Sequence, residues 1–177
     1  MSVVRVNQIQ DTSTNVAANI SGGVVTFTNT PINAGGGKVL QVIHARKETA
    51  GATITNTTQV AMLTASITPS STSSRIMITA MAAGQTTTGS SGIFDSRVYR
   101  GSVSGTVVSG FYEGMGQTTA NQTHYITANH TVIDSPSTTN ATTYTFSLGT
   151  GSGGTTNVKF FGNAVTPITM SLMEIGG

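Results

Sequence analysis

Residues 75–82 read Arg-Ile-Met-Ile-Thr-Ala-Met-Ala, with Ile76, Ile78 and Ala80 in one phase of a two-residue repeat and Met77, Thr79 and Met81 in the other. A period of two belongs to a β-strand whose faces differ. Similar runs recur at 39–44, 59–68, 93–100, 106–112, 124–133, 142–148, 157–161 and 168–175. Turn chemistry separates them. The segment Pro69-Ser70-Ser71-Thr72-Ser73-Ser74 sets a proline where a strand must stop, and the glycine-bearing stretches 84–92 and 149–154 read as solvent-facing loops. No stretch keeps the 3.6-residue period of an amphipathic helix. The pattern predicts an all-β chain, folded as an antiparallel β-sandwich of jelly-roll type.

Residues 1–37 follow a different pattern. Val4, Val6, Ile9, Val24, Val25 and Phe27 are sparse apolar positions among Asn, Thr and Ser, and the stretch closes with Pro31 and Gly35-Gly36-Gly37. This reads as an extended N-terminal arm with two short strands and a flexible joint. An arm with little core of its own takes its order from a partner surface, so those six residues are the candidate attachment residues. The alternative is that the arm supplies a first strand of the same sandwich. The predicted organisation is an attachment segment at 1–37 and a sandwich domain at 38–177.

Composition says what the exposed strand faces are made of. The chain has 33 Thr and 19 Ser against 8 Lys+Arg, 6 Asp+Glu, 3 His and no Cys. Thr is stiff at χ1 and suits a pleated strand, and its hydroxyl wets the outer face without adding charge. Little remains for acid–base chemistry, which points to a structural or surface-recognition protein and away from an enzyme. With 37% hydrophobic and 6% aromatic residues the core per chain is modest, so oligomerisation is expected. The seven methionines, Met77, Met81, Met170 and Met173 among them, suit gaps between sheet layers or a subunit interface.

The net charge of +2 is spread over Arg5, Lys38, Arg46, Lys47, Arg75, Arg97, Arg100 and Lys159. No patch there neutralises several phosphates together, so nucleic acid is not an expected partner. The absence of cysteine excludes disulfides and thiolate chemistry. MSVVRVNQIQ has no apolar core of a secretory leader. The apolar runs fall far short of the ~20 residues of a membrane span, so no membrane association is expected.

Five segments carry a family resemblance: VNQIQDTS near the start, LTASITPSSTSSRIMI at 63–78, YRGS at 99–102, IDSPSTTNATTY at 133–144 and SLMEI at 171–175. In this order they resemble a family of small virion proteins of tailed bacteriophages of marine and freshwater bacteria. The resemblance implies a β-sandwich, usually trimeric, on a fibre, an appendage or the capsid surface, and it implies no catalytic residues. The motifs also have a physical sense. Gly101 suits a tight turn, Asp134 and Pro136 a corner, and Asn140 a second turn. No repetitive shaft precedes the β domain, which favours a protein docked directly on a shell.

Other constellations are weaker. His124 and His130 would face the same way on an unbroken strand, about 20 Å apart, too far for one ion within a chain; three copies of one His about a threefold axis would be needed. Asp95, Glu113 and Asp134 are the central acids, and a glycosidase would need two of them across a cleft. No GxSxG elbow is present, and neither glycine run has the Lys-Ser/Thr ending of a phosphate loop. Asn56, Asn121, Asn129 and Asn140 begin Asn-x-Thr sequences, as expected where both residues are common. No metal or cofactor is expected. The expected partners are two further copies of the chain, the major capsid protein of a phage shell or other virion proteins and, in the receptor-binding alternative, a host surface glycan. The expected location is the virion, after assembly in the host cytoplasm.

Overall fold

The computed structural model describes residues 8–10, 16–21, 24–27, 38–49, 53–54, 58–88, 94–111, 123–150, 156–160 and 165–176. The chain divides into two compact units, Met1–Gly37 and Lys38–Gly177.

In the first unit, β1 (Gln8–Gln10), β2 (Val16–Ser21) and β3 (Val24–Phe27) form an antiparallel meander. Ile9, Ala18 and Phe27 share one cross-strand row and Ile20 and Val25 another, with the polar row Gln8–Asn19–Thr26 beside the first. The expectation of two short strands is corrected to three. Val4 and Val6 lie outside the described residues.

The second unit holds β4 (Val39–Lys47), β5 (Thr53–Ile54), β6 (Val60–Ile67), β7 (Arg75–Thr88), β8 (Phe94–Arg100), β9 (Thr106–Phe111), β10 (Thr123–Asp134), β11 (Thr142–Thr150), β12 (Thr156–Phe160) and β13 (Ile168–Ile175). No helix occurs among the described residues. Every pairing is antiparallel. One sheet runs β4-β13-β7-β10 and the other β6-β11-β8-β9. Along the chain, the eight strands β4, β6, β7, β8, β9, β10, β11 and β13 switch between these two sheets in the double Greek-key order of a jelly roll. The sandwich expected from the periodicity is the fold observed.

Two loop expectations are corrected. β7 continues past residue 82 to Thr88, because β10 pairs with it along one edge up to Thr87 and β12 pairs with residues 84–88 along the other. Gly84 therefore sits within a three-strand span rather than in a loop. β11 likewise runs through Gly149 to Thr150, held by β8 at Asp95 and Phe94. Residues 89–92 and 151–154 lie outside the described residues. The two-residue β5, opposite β12 at Val158 and Lys159, had no periodic signal to predict it.

Alternation places the core. In β13, Ile168, Met170, Leu172 and Glu174 are buried, with half-buried residues between them. Ile76, Ile78 and Ala80 join them from β7, facing Tyr144, Phe146, Leu148, Val98 and Ile67 of the other sheet. Each large apolar side chain of this kind contributes about 1.5–3 kcal/mol on burial. The turn roles also hold in part: Gly101 has φ 90°, where a Cβ is strained, and its N–H bonds Thr143 O at 2.7 Å. In the corner after β10 the left-handed residue is Ser137, with φ 54°, while Asp134 has another task.

Candidate interaction surface

The scarce ionisable groups decide whether any chemistry is available. Of the chain's 6 acids four lie among the described residues, and three of these are buried: Asp95, Asp134 and Glu174. Each is engaged. Asp134, at the end of β10, accepts from both the Nε and an Nη of Arg100 and from Tyr144 Oη at 2.7 Å. Burial pushes its pKa up, but the Arg100 and Tyr144 hydrogen bonds and the Arg100 charge outweigh it and hold the carboxyl below its ordinary value. Tyr144 is pushed well above the usual phenol range by burial and by the Asp134 carboxylate. Burial also raises Glu174, yet hydrogen bonds from Ser70 Oγ (2.6 Å), Gln41 Nε2 (2.6 Å) and Ser70 N–H (2.7 Å) bring it down to about 2.

Asp95 lies on the outer side of the second sheet. Arg97 grips it through Nε at 3.2 Å and Nη2 at 2.6 Å, and Gln59 Nε2 donates to it at 2.7 Å. Gln59 reaches it by crossing β11 over Gly149, where an added Cβ would run into the Gln59 amide. Ser147 Oγ donates to Gln59 Oε1 at 2.7 Å and so ties the crossing down. The pair of acids across a cleft that a glycosidase would need is not formed by Asp95 and Asp134, which each close a separate arginine clamp, and Glu113 lies outside the described residues.

His130 also turns out to be structural. Its ring is buried in the sandwich, with Nε2 2.8 Å from Ser96 Oγ, Nδ1 2.9 Å from Ser109 Oγ and its plane edge-on to Phe146. Burial lowers its pKa against a smaller upward pull from Asp95. An inward ring cannot line an axis between copies, so the threefold ion site is not available to His130; the His124 side chain lies outside the described residues. Among the described residues no group of three or more His, Cys, Asp or Glu is placed to hold a metal ion, and no helix is long and apolar enough to cross a membrane.

What remains is surface, and the outer face of the β4-β13-β7-β10 sheet has an ordered one. Register sets Ile133, Met77, Met173 and Val42 side by side across all four strands. Ile133 is 51% and Val42 54% exposed at the two edges. Beyond this row lie Val39 and Leu40, both exposed, where a bulge between Glu174 and Ile175 breaks the β4 register. On its other side the next row is Thr131, Thr79, Ser171 and His44, with His44 Nδ1 2.9 Å from Ser171 Oγ. The following row is Asn129, Met81, Thr169 and Arg46, the last paired with Glu48 at 2.8 Å. A shallow depression of about 210 Å³ is lined there by Thr79, Ala80, Met81, Asn129, His130, Thr131 and Thr169. The outer lining offers hydroxyls, one amide and a thioether, which bind by hydrogen bonds and packing, while the His130 ring is held by Ser96 and Ser109.

The sequence-predicted attachment residues occupy a different place. Ile9, Val24, Val25 and Phe27 stand on β1 and β3 of the first unit. The apolar row was missed because its members come from four strands far apart in sequence. A signal did exist: Val42, Met77, Ile133 and Met173 are apolar residues in the outward phase of otherwise polar alternation. Among the methionines, Met170 is core, whereas Met77, Met173 and the 41%-exposed Met81 face outward.

No protein-family model matches the chain, and no curated protein matches it. Among solved structures it is similar to infectious bursal disease virus, Gx strain, at 13% identity and TM-score 0.41 over 90% of this chain. It is similar to the VP2 subviral particle of infectious bursal disease virus at 12% identity and TM-score 0.42 over 90% of this chain. The chain spans about two-fifths of those proteins, 37% and 41% of their lengths. At such scores the likeness adds nothing to what the strand order already states.

Proposed function

We propose that this chain is a non-enzymatic structural subunit of a tailed-phage virion, a homotrimeric decoration or cement protein bound to the major capsid protein shell. The observation that carries this reading is the disposal of its charge: Asp95, Asp134 and Glu174 are each locked in a buried hydrogen-bonded clamp. The sandwich is thus braced by carboxylates withheld from solvent and left with outer strands rich in hydroxyls. The ordered set of motifs from VNQIQDTS to SLMEI supports the phage assignment. The 1–37 unit would attach through Val4, Val6, Ile9, Val24, Val25 and Phe27, adding backbone pairing to exposed strand edges of the shell. The mechanism is mechanical, since added interface ties neighbouring capsomers against internal pressure.

Immunogold labelling of intact particles with antibody to residues 38–177 tests the location. Label over the head supports the reading, and deletion of residues 1–37 should then abolish shell binding and lower capsid heat stability. Binding and stability unchanged by that deletion would sink the attachment mechanism. The depression lined by Thr79, Asn129, Thr131 and Thr169 favours a second reading, a tail-fibre or appendage knob that binds a host glycan. Label confined to the tail, with adsorption of the purified protein to host cells, would establish that reading instead.

A further inference from the structure

We infer that the outer face of the β4-β13-β7-β10 sheet is the surface through which copies of this chain contact one another, with the row Ile133–Met77–Met173–Val42 at its centre. A face that meets its own copy makes a twofold contact, so the inference rests on the proposed function only in that copies of the chain associate, and not on the trimer.

Three observations select a second copy as the occupant. The apolar row is continuous from one sheet edge to the other and ends at each edge on a residue more than half exposed, Ile133 at 51% and Val42 at 54%. Such a row in the outward phase gains nothing from facing water, and its two central methionines adapt to an imperfectly matched neighbour. The flanking row is self-complementary. Thr131, Thr79 and Ser171 each donate and accept, so a hydroxyl row meets its own copy without mismatch, where a charged row would repel itself.

Charge completes the case. Of the residues in these three rows, only His44 and Arg46 are basic, and Arg46 is neutralised by Glu48 within the same copy. Beyond the apolar row, register also places Arg75 on this face, exposed beside Ile175 and Val39, so the low charge is a property of the three rows and not of the whole face. Four strands at ~4.8 Å and about seven residues at ~3.4 Å give a projected area on the order of 450 Å². That is little more than half the ~800 Å² per partner of a standard stable interface, which places the contact at the weak end of specific association.

The test uses the purified full chain. Its mass at micromolar concentration is measured by sedimentation velocity for wild type, Val42→Lys, Ile133→Lys, and controls Val107→Lys and Val165→Lys, which alter exposed residues away from the row. The expected result is an oligomer that the row variants convert to monomer and the controls leave intact. Because a lysine variant can fail to fold, each is checked by far-UV circular dichroism, and a second measurement replaces folding-sensitive loss by gain. The chain has no cysteine, so Val42→Cys and Ile133→Cys with a short bis-maleimide should give covalent dimers, while Val107→Cys and Val165→Cys should not. Monomeric wild type, including wild type that binds isolated shells as a monomer, would overturn the inference. So would an oligomer indifferent to the row variants with no cross-linking at Val42 or Ile133. These outcomes are independent of where label appears on the particle, so failure of the face and failure of the virion assignment are told apart.

Discussion

Replacing Glu174 by Gln tests whether the sandwich is braced by buried ionised carboxylates. Glu174 lies on β13 in the last inward row, beside Gln41 and Ile76, and is fully buried. Its Oε1 accepts the Ser70 N–H and hydroxyl, and its Oε2 accepts the Gln41 amide, which also donates to Thr68 O at 2.7 Å. Whichever way the substituted amide turned, its nitrogen would meet a donor, at a cost of about 1–3 kcal/mol. The proton linkage gives a second figure. The gap between 4.5 and about 2 corresponds to on the order of 3 kcal/mol that only the ionised form supplies. Because the folded-state value is depressed, that stability is complete above about pH 4.5 and is lost as pH falls towards 2. At pH 3 the same linkage leaves on the order of 1 kcal/mol. Urea unfolding followed by circular dichroism, at one protein concentration, should therefore show Glu174→Gln destabilised by about 3 kcal/mol at pH 7 and about 1 kcal/mol at pH 3. A loss equal at the two pH values, or under about 0.5 kcal/mol at pH 7, would refute the reasoning.

The other clamps make their own predictions. Tyr144→Phe removes one donor to Asp134 and should cost about 1 kcal/mol in the same assay; it should also move the Asp134 acid limb to higher pH, because that hydrogen bond lowers the Asp134 pKa. Gly149→Ala should displace the Gln59 crossing and cost about 1–2 kcal/mol. In a Gln59→Ala background the same change should cost markedly less, and equal costs in both backgrounds would show that Gln59 is not what Gly149 accommodates. His130, buried and neutral, should titrate below the ordinary imidazole range in an NMR pH series. Its contribution to stability is then present above about pH 6.5 and lost as pH falls through the lower folded-state value; a signal titrating at or above the ordinary value would contradict the geometry.

The fold was legible because Thr-rich strands keep strict alternation. Ile76, Ile78 and Ala80 pointed to the core from residues 75–82 alone, and the turn at Gly101 followed from its place after Tyr99-Arg100. The errors have one cause. Gly84 and Gly149 read as loop markers by composition, yet each lies inside a strand where a small residue is needed or tolerated, and at Gly149 the Gln59 amide occupies the space. The local sequence does not show a side chain arriving from a segment so distant along the chain, here Gln59 just ahead of β6. The interaction row was hidden for the same reason, since Val42, Met77, Ile133 and Met173 meet only through the register of four strands. Asp134 reads as a corner residue from its neighbours Ser135 and Pro136. Its partners Arg100 and Tyr144 come from strands of the other sheet.

The division between buried carboxylates and hydroxylated outer strands has a consequence for assembly. A contact between copies built on Ile133, Met77, Met173 and Val42 and on Thr and Ser hydroxyls contains almost no charge to screen. Added sodium chloride then has little to act on, because salt weakens exposed charge pairs and leaves apolar burial in place. Sulfate should strengthen the contact, since it is excluded from surfaces that association removes. The sedimentation mass of the full chain is therefore expected to stay constant from low to high sodium chloride and to hold at lower protein concentration in sulfate. An oligomer that dissociates as sodium chloride rises would assign the contact to charged residues such as Arg46, Lys47 and Arg75. It would remove the apolar row from the centre of the interface even if the copies do associate.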